Sequence, residues 1–128
     1  MEQLLWVCVG GGLGSGLRHL ACRTIDGASG TAFPLGTLAV NVVGSFAIGF
    51  VMTSGIVATR WSPTAQLAVT AGVLGGFTTF STFSHDTLAC LQRGALGTAV
   101  ANVGISVGTC LLACALGSFA GRAVAGPG

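Results

Sequence analysis

Hydrophobic residues in this chain gather into four long stretches with short polar segments between them. A helix needs about 20 apolar residues to cross a bilayer core about 30 Å thick. Each stretch meets that length, and the polar segments that separate them include Arg23, Arg60 and Arg93. The pattern therefore predicts an all-α membrane protein, in which residues 1–128 form one domain of four transmembrane helices at about 4–22, 34–58, 66–91 and 95–120.

Composition supports the membrane location and argues against other classes. Hydrophobic residues make up 52% of the chain and charged residues only 6%, whereas soluble domains carry about 25% charged residues. Trp6 and Trp61 lie near the ends of apolar stretches, where aromatic rings meet lipid headgroups. A net charge of +2 without a basic run argues against nucleic-acid binding, so lipid is the expected surrounding.

Three features that could suggest other chemistry are better explained by the membrane. The five cysteines form no Cys-x-x-Cys pair and stand in apolar surroundings, so we interpret them as small apolar residues. The glycine-rich run at 10–16 lacks the spacing of a nucleotide-binding loop. The N-terminus carries Glu2 and no nearby basic residue, so it is predicted to begin the first span and not a signal peptide.

Glycines four residues apart recur within the apolar stretches. The chain has 22 glycines, and small residues at this spacing let helix backbones approach closely in a membrane, where close packing drives helix association. We therefore predict tight helix packing at Gly10 with Gly14, Gly12 with Gly16, Gly72 with Gly76, Gly104 with Gly108, and Gly117 with Gly121.

The arginines give the chain no preferred orientation. With the N-terminus in the cytoplasm, Arg60 and Arg122 lie inside and Arg23 and Arg93 lie outside. Positive charge normally accumulates on the cytoplasmic side, so an even count favours insertion in both orientations and pairing of two opposite copies. The alternative is that the count is wrong for a few charges of this short protein, so that the even balance carries no topological signal.

Two stripes of polar residues run at helical spacing inside apolar stretches. Polar groups within a span are costly and often functional. Rows of amide and hydroxyl donors would line a path for an anion, or they would only hydrogen-bond neighbouring helices together. Both interpretations are open for these stripes, which are Thr37, Asn41 and Ser45 in the second stretch and Thr98, Asn102 and Ser106 in the fourth.

The segment from Gly75 to Ser84 predicts a break in the third helix. It contains two adjacent glycines followed by a threonine- and serine-rich run, and glycine costs about 1 kcal/mol relative to alanine in a helix. Backbone groups freed at membrane depth need partners: carbonyls favour a cation, whereas N–H groups favour an anion.

Phe80 and Phe83 share a face, and their ring edges carry partial positive charge that suits an anion. The alternative is that both are ordinary core residues.

The charged residues indicate which kind of membrane transport the chain could carry out. The chain has no lysine, and no acidic residue lies deep in a predicted span, where a proton relay would need one. Hydroxyl and amide donors that replace water suit a channel for a small hydrated anion. Arg18 either draws anions toward a vestibule or anchors the first helix at the interface.

At these residues the chain resembles the CrcB/Fluc family of fluoride channels, over nearly its whole length. The resemblance rests on a glycine-rich first stretch ending in Gly-Leu-Arg18, on Pro34-Leu-Gly-Thr-Leu-Ala-Val-Asn41 with Gly44, and on Ser106. Its most specific part is Gly-Gly-Phe-Thr-Thr-Phe-Ser-Thr-Phe-Ser at 75–84, joined to the upstream Gly-Thr-Leu-Ala-Val-Asn.

The resemblance implies an antiparallel, dual-topology homodimer with two pores, each lined by both subunits. It implies that Phe80 and Phe83 present ring edges to fluoride and that Asn41 donates its amide N–H. It also implies a structural, untransported sodium ion at the dimer axis, held by the backbone carbonyls of Gly75 and Thr78 from both chains. Further pore hydroxyls would come from Ser81, Thr82 and Ser106, with the stripe residue Thr37 in the same pore and Arg18 at its vestibule.

Three positions depart from the residues of relatives, and at one of them, Cys110, the family often has serine. Asn102 stands where some relatives hold tyrosine, so this position keeps its polarity but loses the aromatic ring. Asp86 stands where the family often has glutamate. Asp86 follows His85, and the pair either responds to pH or is a solvated, helix-capping pair.

We expect passive, fluoride-selective conduction out of the cytoplasm across the inner membrane, without catalysis. One alternative is a proton-coupled small four-span exporter, which would need an acidic residue within a span. The other is a non-conducting packing subunit, in which Asn41 and Phe80 matter only for assembly.

Overall fold

The structure, a computed structural model, describes residues 1–125, and helices joined by short connections make up that range. Residues Pro63–Gln92 contain several short helical elements in succession, which we call together the interrupted helix. In chain order the elements are α1 (Glu2–Ser29), α2 (Leu35–Thr53), α3 (Gly55–Arg60), α4 (Pro63–Leu67), a π-helical segment (Ala68–Leu74), α5 (Gly75–Phe77), α6 (Phe80–Gln92) and α7 (Leu96–Ala125).

Within residues 1–125, three helices are both long and apolar enough to cross a membrane: α2, the interrupted helix and α7. α1 has 28 residues, or about 42 Å of helix, but Arg18, His19 and its glycines lower its hydropathy. The predicted all-α, multi-pass membrane class is thereby confirmed.

The helices do not end where the apolar stretches end. α1 continues past Cys22 to Ser29 and stops at Gly30, whose φ of 60° is left-handed and suits a residue without a Cβ. Ser54 is extended, with ψ of 118°, and divides the second stretch into α2 and α3. Hydropathy reflects contact with lipid, whereas a helix ends where the backbone conformation changes, so the two boundaries differ.

The interrupted helix contains a widened segment and a break. Ala68–Leu74 is π-helical, a form that occurs mostly as single turns and often at functional sites. Thr78 and Thr79 are then extended, with ψ of 155° and 115°, before α6 starts. The break lies inside the segment where the sequence predicts it, at the threonine pair, while the two glycines stay helical.

Close packing against α1 explains why those glycines are helical. A side chain at Gly76 would strike the backbone of Gly11, and one at Gly14 would strike the carbonyl oxygen of Val73. Glycine is needed on both sides so that α1 can lie directly against the first half of the interrupted helix. The two helices run parallel, because contacts advance along both in the same direction.

α2 and α7 form the most extensive helix pair in the described chain. A Cβ at Gly49 would meet the carbonyl oxygen of Cys114, and a Cβ at Gly117 would meet that of Phe46. The pair also runs parallel, since Gly121, one turn further along α7, lies against Phe50, one turn further along α2. The backbones therefore touch along most of their length.

Two of the predicted glycine pairs do not pack within the chain. No heavy atom outside the glycine's own helical turn lies within 4 Å of the position that a Cβ would take at these four sites, so their helix faces are open within the described residues. They are Gly12 and Gly16 on α1 and Gly104 and Gly108 on α7.

Candidate functional site

A groove about 450 Å³ in volume lies beside the break in the interrupted helix. Residues from α2, the interrupted helix and α7 form its walls, and Ser45 of the α2 stripe is one of them. Among the predicted site residues, Arg18, Thr37, Ser81 and Thr82 are not part of its lining. Those that the groove brings together are Asn41, Gly75, Thr78, Phe80, Phe83 and Ser106.

Asn41 replaces helical hydrogen bonds that the break removes. Its Nδ2 donates to the carbonyl oxygen of Thr79 at 3.0 Å, and its Oδ1 accepts the Thr79 backbone N–H at 2.7 Å. A primary amide has the donor and acceptor of a peptide group, so one side chain satisfies both backbone groups of Thr79. The Asn41 NH₂ group keeps a second N–H for another acceptor.

The break releases the carbonyl oxygens of Gly75 and Thr78 from their usual donors. In a continuous helix the N–H four residues later donates to each carbonyl. Here the Thr79 N–H donates to Asn41, and the Thr82 N–H donates to Thr79 Oγ1 at 3.1 Å. Within residues 1–125 no group of three or more His, Cys, Asp or Glu side chains is placed to hold a metal ion.

Hydroxyl groups cluster where α6 begins. Thr79 Oγ1 donates to Thr82 Oγ1 at 3.0 Å and lies 3.1 Å from Ser81 Oγ. The first backbone N–H groups of a helix have no helical partner, and the positive end of the helix dipole favours anions. Ser81 and Thr82 thus hold their hydroxyls at the electropositive end of α6, directly after a groove residue.

Phe80 and Phe83 form a tilted aromatic pair, with ring centroids 5.3 Å apart and planes inclined by 44°. Phe83 is buried, at 9% exposure, whereas Phe80 is 77% exposed on the single chain. The positive edges of such rings attract an anion weakly, without the strong attraction of a full charge. Both residues line the groove, Phe83 from the buried core and Phe80 from the exposed face.

A second polar chain runs from the groove into the contact between α6 and α7. Ser106 Oγ donates to Asn102 Oδ1 at 3.2 Å, and Asn102 Nδ2 donates to Thr87 Oγ1 at 2.9 Å. Thr87 Oγ1 in turn donates to the carbonyl oxygen of Phe83 at 2.7 Å. The α7 stripe therefore joins two helices through Asn102, which is 1% exposed, and reaches the groove through Ser106.

Two carboxylates hold the start of α2. Asp26 Oδ1 accepts the Gly36 N–H at 2.7 Å, and Asp86 Oδ2 accepts the Thr37 hydroxyl at 2.9 Å. Negative charge is favourable there because the first N–H groups of a helix are unpaired. Thr37 is thus buried and bonded to Asp86, while Arg18 is partly exposed and makes no ion pair with the residues described.

Some of these partners were missed from the sequence. The pairing of Asn41 with Thr79 joins residues 38 positions apart, and no local pattern reports such a contact. Asp86 and Thr87 lie three and four residues after Phe83, one helical turn along the same face. That spacing was the available signal that α6 continues the polar path beyond the rings.

Comparison with known proteins identifies similar chains. The family described as CrcB-like protein, Camphor Resistance (CrcB), matches residues 5–118. A protein of Citrifermentans bemidjiense named fluoride-specific ion channel FluC is 43% identical over 124 residues, which cover 97% of this chain and 100% of that protein. Proteins with the same name from Geobacter sp. strain M21 and Chelativorans sp. strain BNC1 are each 44% identical over 124 residues, 97% of this chain and 100% and 99% of theirs.

Proposed function

Because this chain belongs to the CrcB-like protein family, we propose that it is a fluoride-selective channel, through which fluoride leaves the cytoplasm passively across the inner membrane. The observation that carries the proposal is the groove at the break, where amide, hydroxyl and ring-edge donors meet without a lysine or a buried ion pair. Two relatives that match over their full length are named fluoride-specific ion channels, and this supports fluoride as the ion.

The groove supplies what a small hydrated anion needs. Fluoride gives up strong hydrogen bonds with water, so a pore must offer replacement donors that do not hold the ion too tightly. The free N–H of Asn41 is one such donor, and the edges of Phe80 and Phe83 supply weaker attraction. The Ser106, Ser81 and Thr82 hydroxyls would continue the path, with Thr37 and Arg18 toward the end of the molecule where α2 begins.

A homodimer would complete the groove. Phe80 is too exposed to be enclosed by one chain, and Val107 lines the groove on the α7 face that holds Gly104 and Gly108. Small residues with open Cβ positions are the usual contact surface between helices in a membrane. We infer that a second copy covers this face, so that each pore has walls from both subunits.

Four spans and an antiparallel arrangement follow from the same reasoning. α1 packs along the interrupted helix and exposes Leu4, Leu13 and Leu20 outward, as a lipid-facing helix does, so we count it as the fourth span. Arg60 and Arg122 would then lie at one end of the molecule, and Arg23 and Arg93 at the other. That balance favours insertion in both orientations.

Sodium is the proposed structural ion at the dimer axis. The freed carbonyls of Gly75 and Thr78 fit it, because hard cations take oxygen ligands and these two oxygens have lost their helical donors. Two copies would supply four such oxygens. The positive charge of the ion would balance the partial negative charge of these carbonyl oxygens. The fluoride would be bound by this chain's own residues and not by the sodium ion.

Ion efflux from liposomes tests the proposal. The purified protein is reconstituted into vesicles loaded with potassium fluoride or potassium chloride, and valinomycin is added to release the charge. We expect rapid loss of fluoride without loss of chloride, and no loss in Phe80→Ile or Asn41→Asp. A folded dimer that releases no fluoride would point to a packing subunit, and release only under a proton gradient would point to a coupled exporter.

A further inference from the structure

A second cavity, about 300 Å³ in volume, adjoins the groove at Thr70, which lines both. Its walls come from the end of α2, from α3 and from the start of the interrupted helix, and include Ser54, Val57 and Gln66. This places it between the groove and the end of the molecule where Trp61 connects α3 to α4. The two cavities therefore follow one another along the protein.

The Ser54 side chain differs from every other buried polar side chain of residues 1–124. Thr37, Thr79, Asn102 and Ser106 each hydrogen-bond through their side chains. Ser54 is 3% exposed, and within this range its hydroxyl has no hydrogen-bond partner. Fully enclosed side-chain polar atoms all have partners here, so the Ser54 hydroxyl must open on the cavity that it lines.

Ser54 also lies at a position where the hydroxyl of a serine is normally hydrogen-bonded. It is the residue before α3, where a serine hydroxyl commonly accepts a backbone N–H of the first turn. Ser54 makes no such cap, although Ser62, in the same position before α4, accepts the Ala65 N–H at 3.2 Å. Its hydroxyl is thus left to interact with a molecule inside the cavity.

The wall between the two cavities is the π-helical segment. Thr70 lies within it, and its Oγ1 donates to the Gln66 carbonyl oxygen at 2.7 Å, which leaves the lone pairs of that oxygen free to accept from water. π-helical turns occur frequently at functional sites. Thr70 is therefore the residue that the two cavities share, and a passage between them would have its neck there.

We propose that this second cavity is a vestibule of the channel, in which the Ser54 hydroxyl donates a hydrogen bond to hydrated fluoride on its way between the groove and the Trp61 end. The inference rests on the proposed function. It adds Ser54 as an anion donor and Thr70 as the neck. An O–H group suits this task because it donates to an anion without adding charge that would trap it.

Initial rates of fluoride efflux from potassium fluoride liposomes test this vestibule. Ser54→Ala should slow efflux about tenfold, because a hydrogen bond to a charged group is lost, while Ser54→Thr should keep most of the rate. Thr70→Leu should slow efflux by narrowing the neck. Ser118→Ala removes a hydroxyl from α7 outside both cavities and should conduct like the parent protein.

The outcomes separate the two proposals. A silent parent dimer overturns the channel and the vestibule together. A conducting parent with unchanged rates in Ser54→Ala and Thr70→Leu overturns the vestibule alone. If Ser54→Ala does not elute as a folded dimer, Thr70→Leu decides, and an unchanged rate in that variant rejects the vestibule.

Discussion

The α2–α7 pair and the interrupted helix show two ways of stabilising helices in a membrane. In the first, backbones touch at glycines such as Gly49 and Gly117, and few polar side chains take part. In the second, the helix opens at Thr78 and Thr79, and the side chain of Asn41 takes over the missing backbone bonds. Close packing leaves no space for an ion, whereas a break held by side chains leaves donors and acceptors exposed in a groove.

The largest loss of stability should come from filling the α2–α7 contact. Gly117→Val places a side chain on the carbonyl oxygen of Phe46, so the helices must separate, and overpacking of this kind costs about 1–3 kcal/mol or more. We expect a lower unfolding temperature in detergent and a poor yield of folded protein. Gly97→Val, where no atom of the described chain lies within 4 Å of the Cβ position, is the matched control. Equal stability of both variants would contradict the contact.

An intermediate loss should follow from removing the amide that bridges the break. Asn41→Ala leaves the N–H and carbonyl of Thr79 without their partner, at about 1–2 kcal/mol in total, because both residues line the groove, where water can replace part of the lost bonding. Thermal unfolding in detergent should detect it. Ser45→Ala, one turn further along α2, removes a hydroxyl that makes no hydrogen bond within residues 1–124 and should change stability by less than about 0.5 kcal/mol. If the two variants unfold at the same temperature, the Asn41 side chain does not stabilise the break.

The smallest effect on the single chain, with a clear effect on assembly, is expected on the open face of α7. A Cβ at Gly104 meets no neighbouring helix in the described chain, so the indole of Gly104→Trp can extend outward from the open face, and helix content and folding should be nearly unchanged, within about 0.5 kcal/mol. In the proposed dimer the tryptophan would hold the partner away, and light scattering in detergent should report a monomer. Leu116→Trp, on an exposed face of the same helix turned away from Gly104 by about 120°, should remain dimeric. A dimeric Gly104→Trp would place the interface on another face.

Much of the local architecture was predictable from the sequence because it depends on neighbours along the chain. The break was predicted within residues 75–84 because glycine and threonine are poor helix formers. It falls at Thr78 and Thr79 because α1 packs against Gly76, and that contact is not local. The end of α1 at Ser29 and the end of α2 at Thr53 were missed, since hydropathy does not report backbone conformation.

For the predicted polar residues too, the sequence revealed some features and not others. Asn41 and Ser106 were identified by spacing and do line the groove. The predicted stripes did not say that Thr37 would bond to Asp86, or that Asn102 would bond to Thr87. Which of two helices a polar side chain faces depends on how the helices are rotated in the bundle, and sequence spacing leaves that rotation open.

Hydropathy, glycine content and the Gly75–Ser84 run were enough to determine the membrane class, the approximate long helices and the presence of a break, because each reflects the local cost of burying or bending the backbone. Only the tertiary structure decided which glycine faces are filled, which oxygens the break releases and where Ser54 points. Those features depend on contacts between residues far apart in the chain, and their energies are set by the packed geometry.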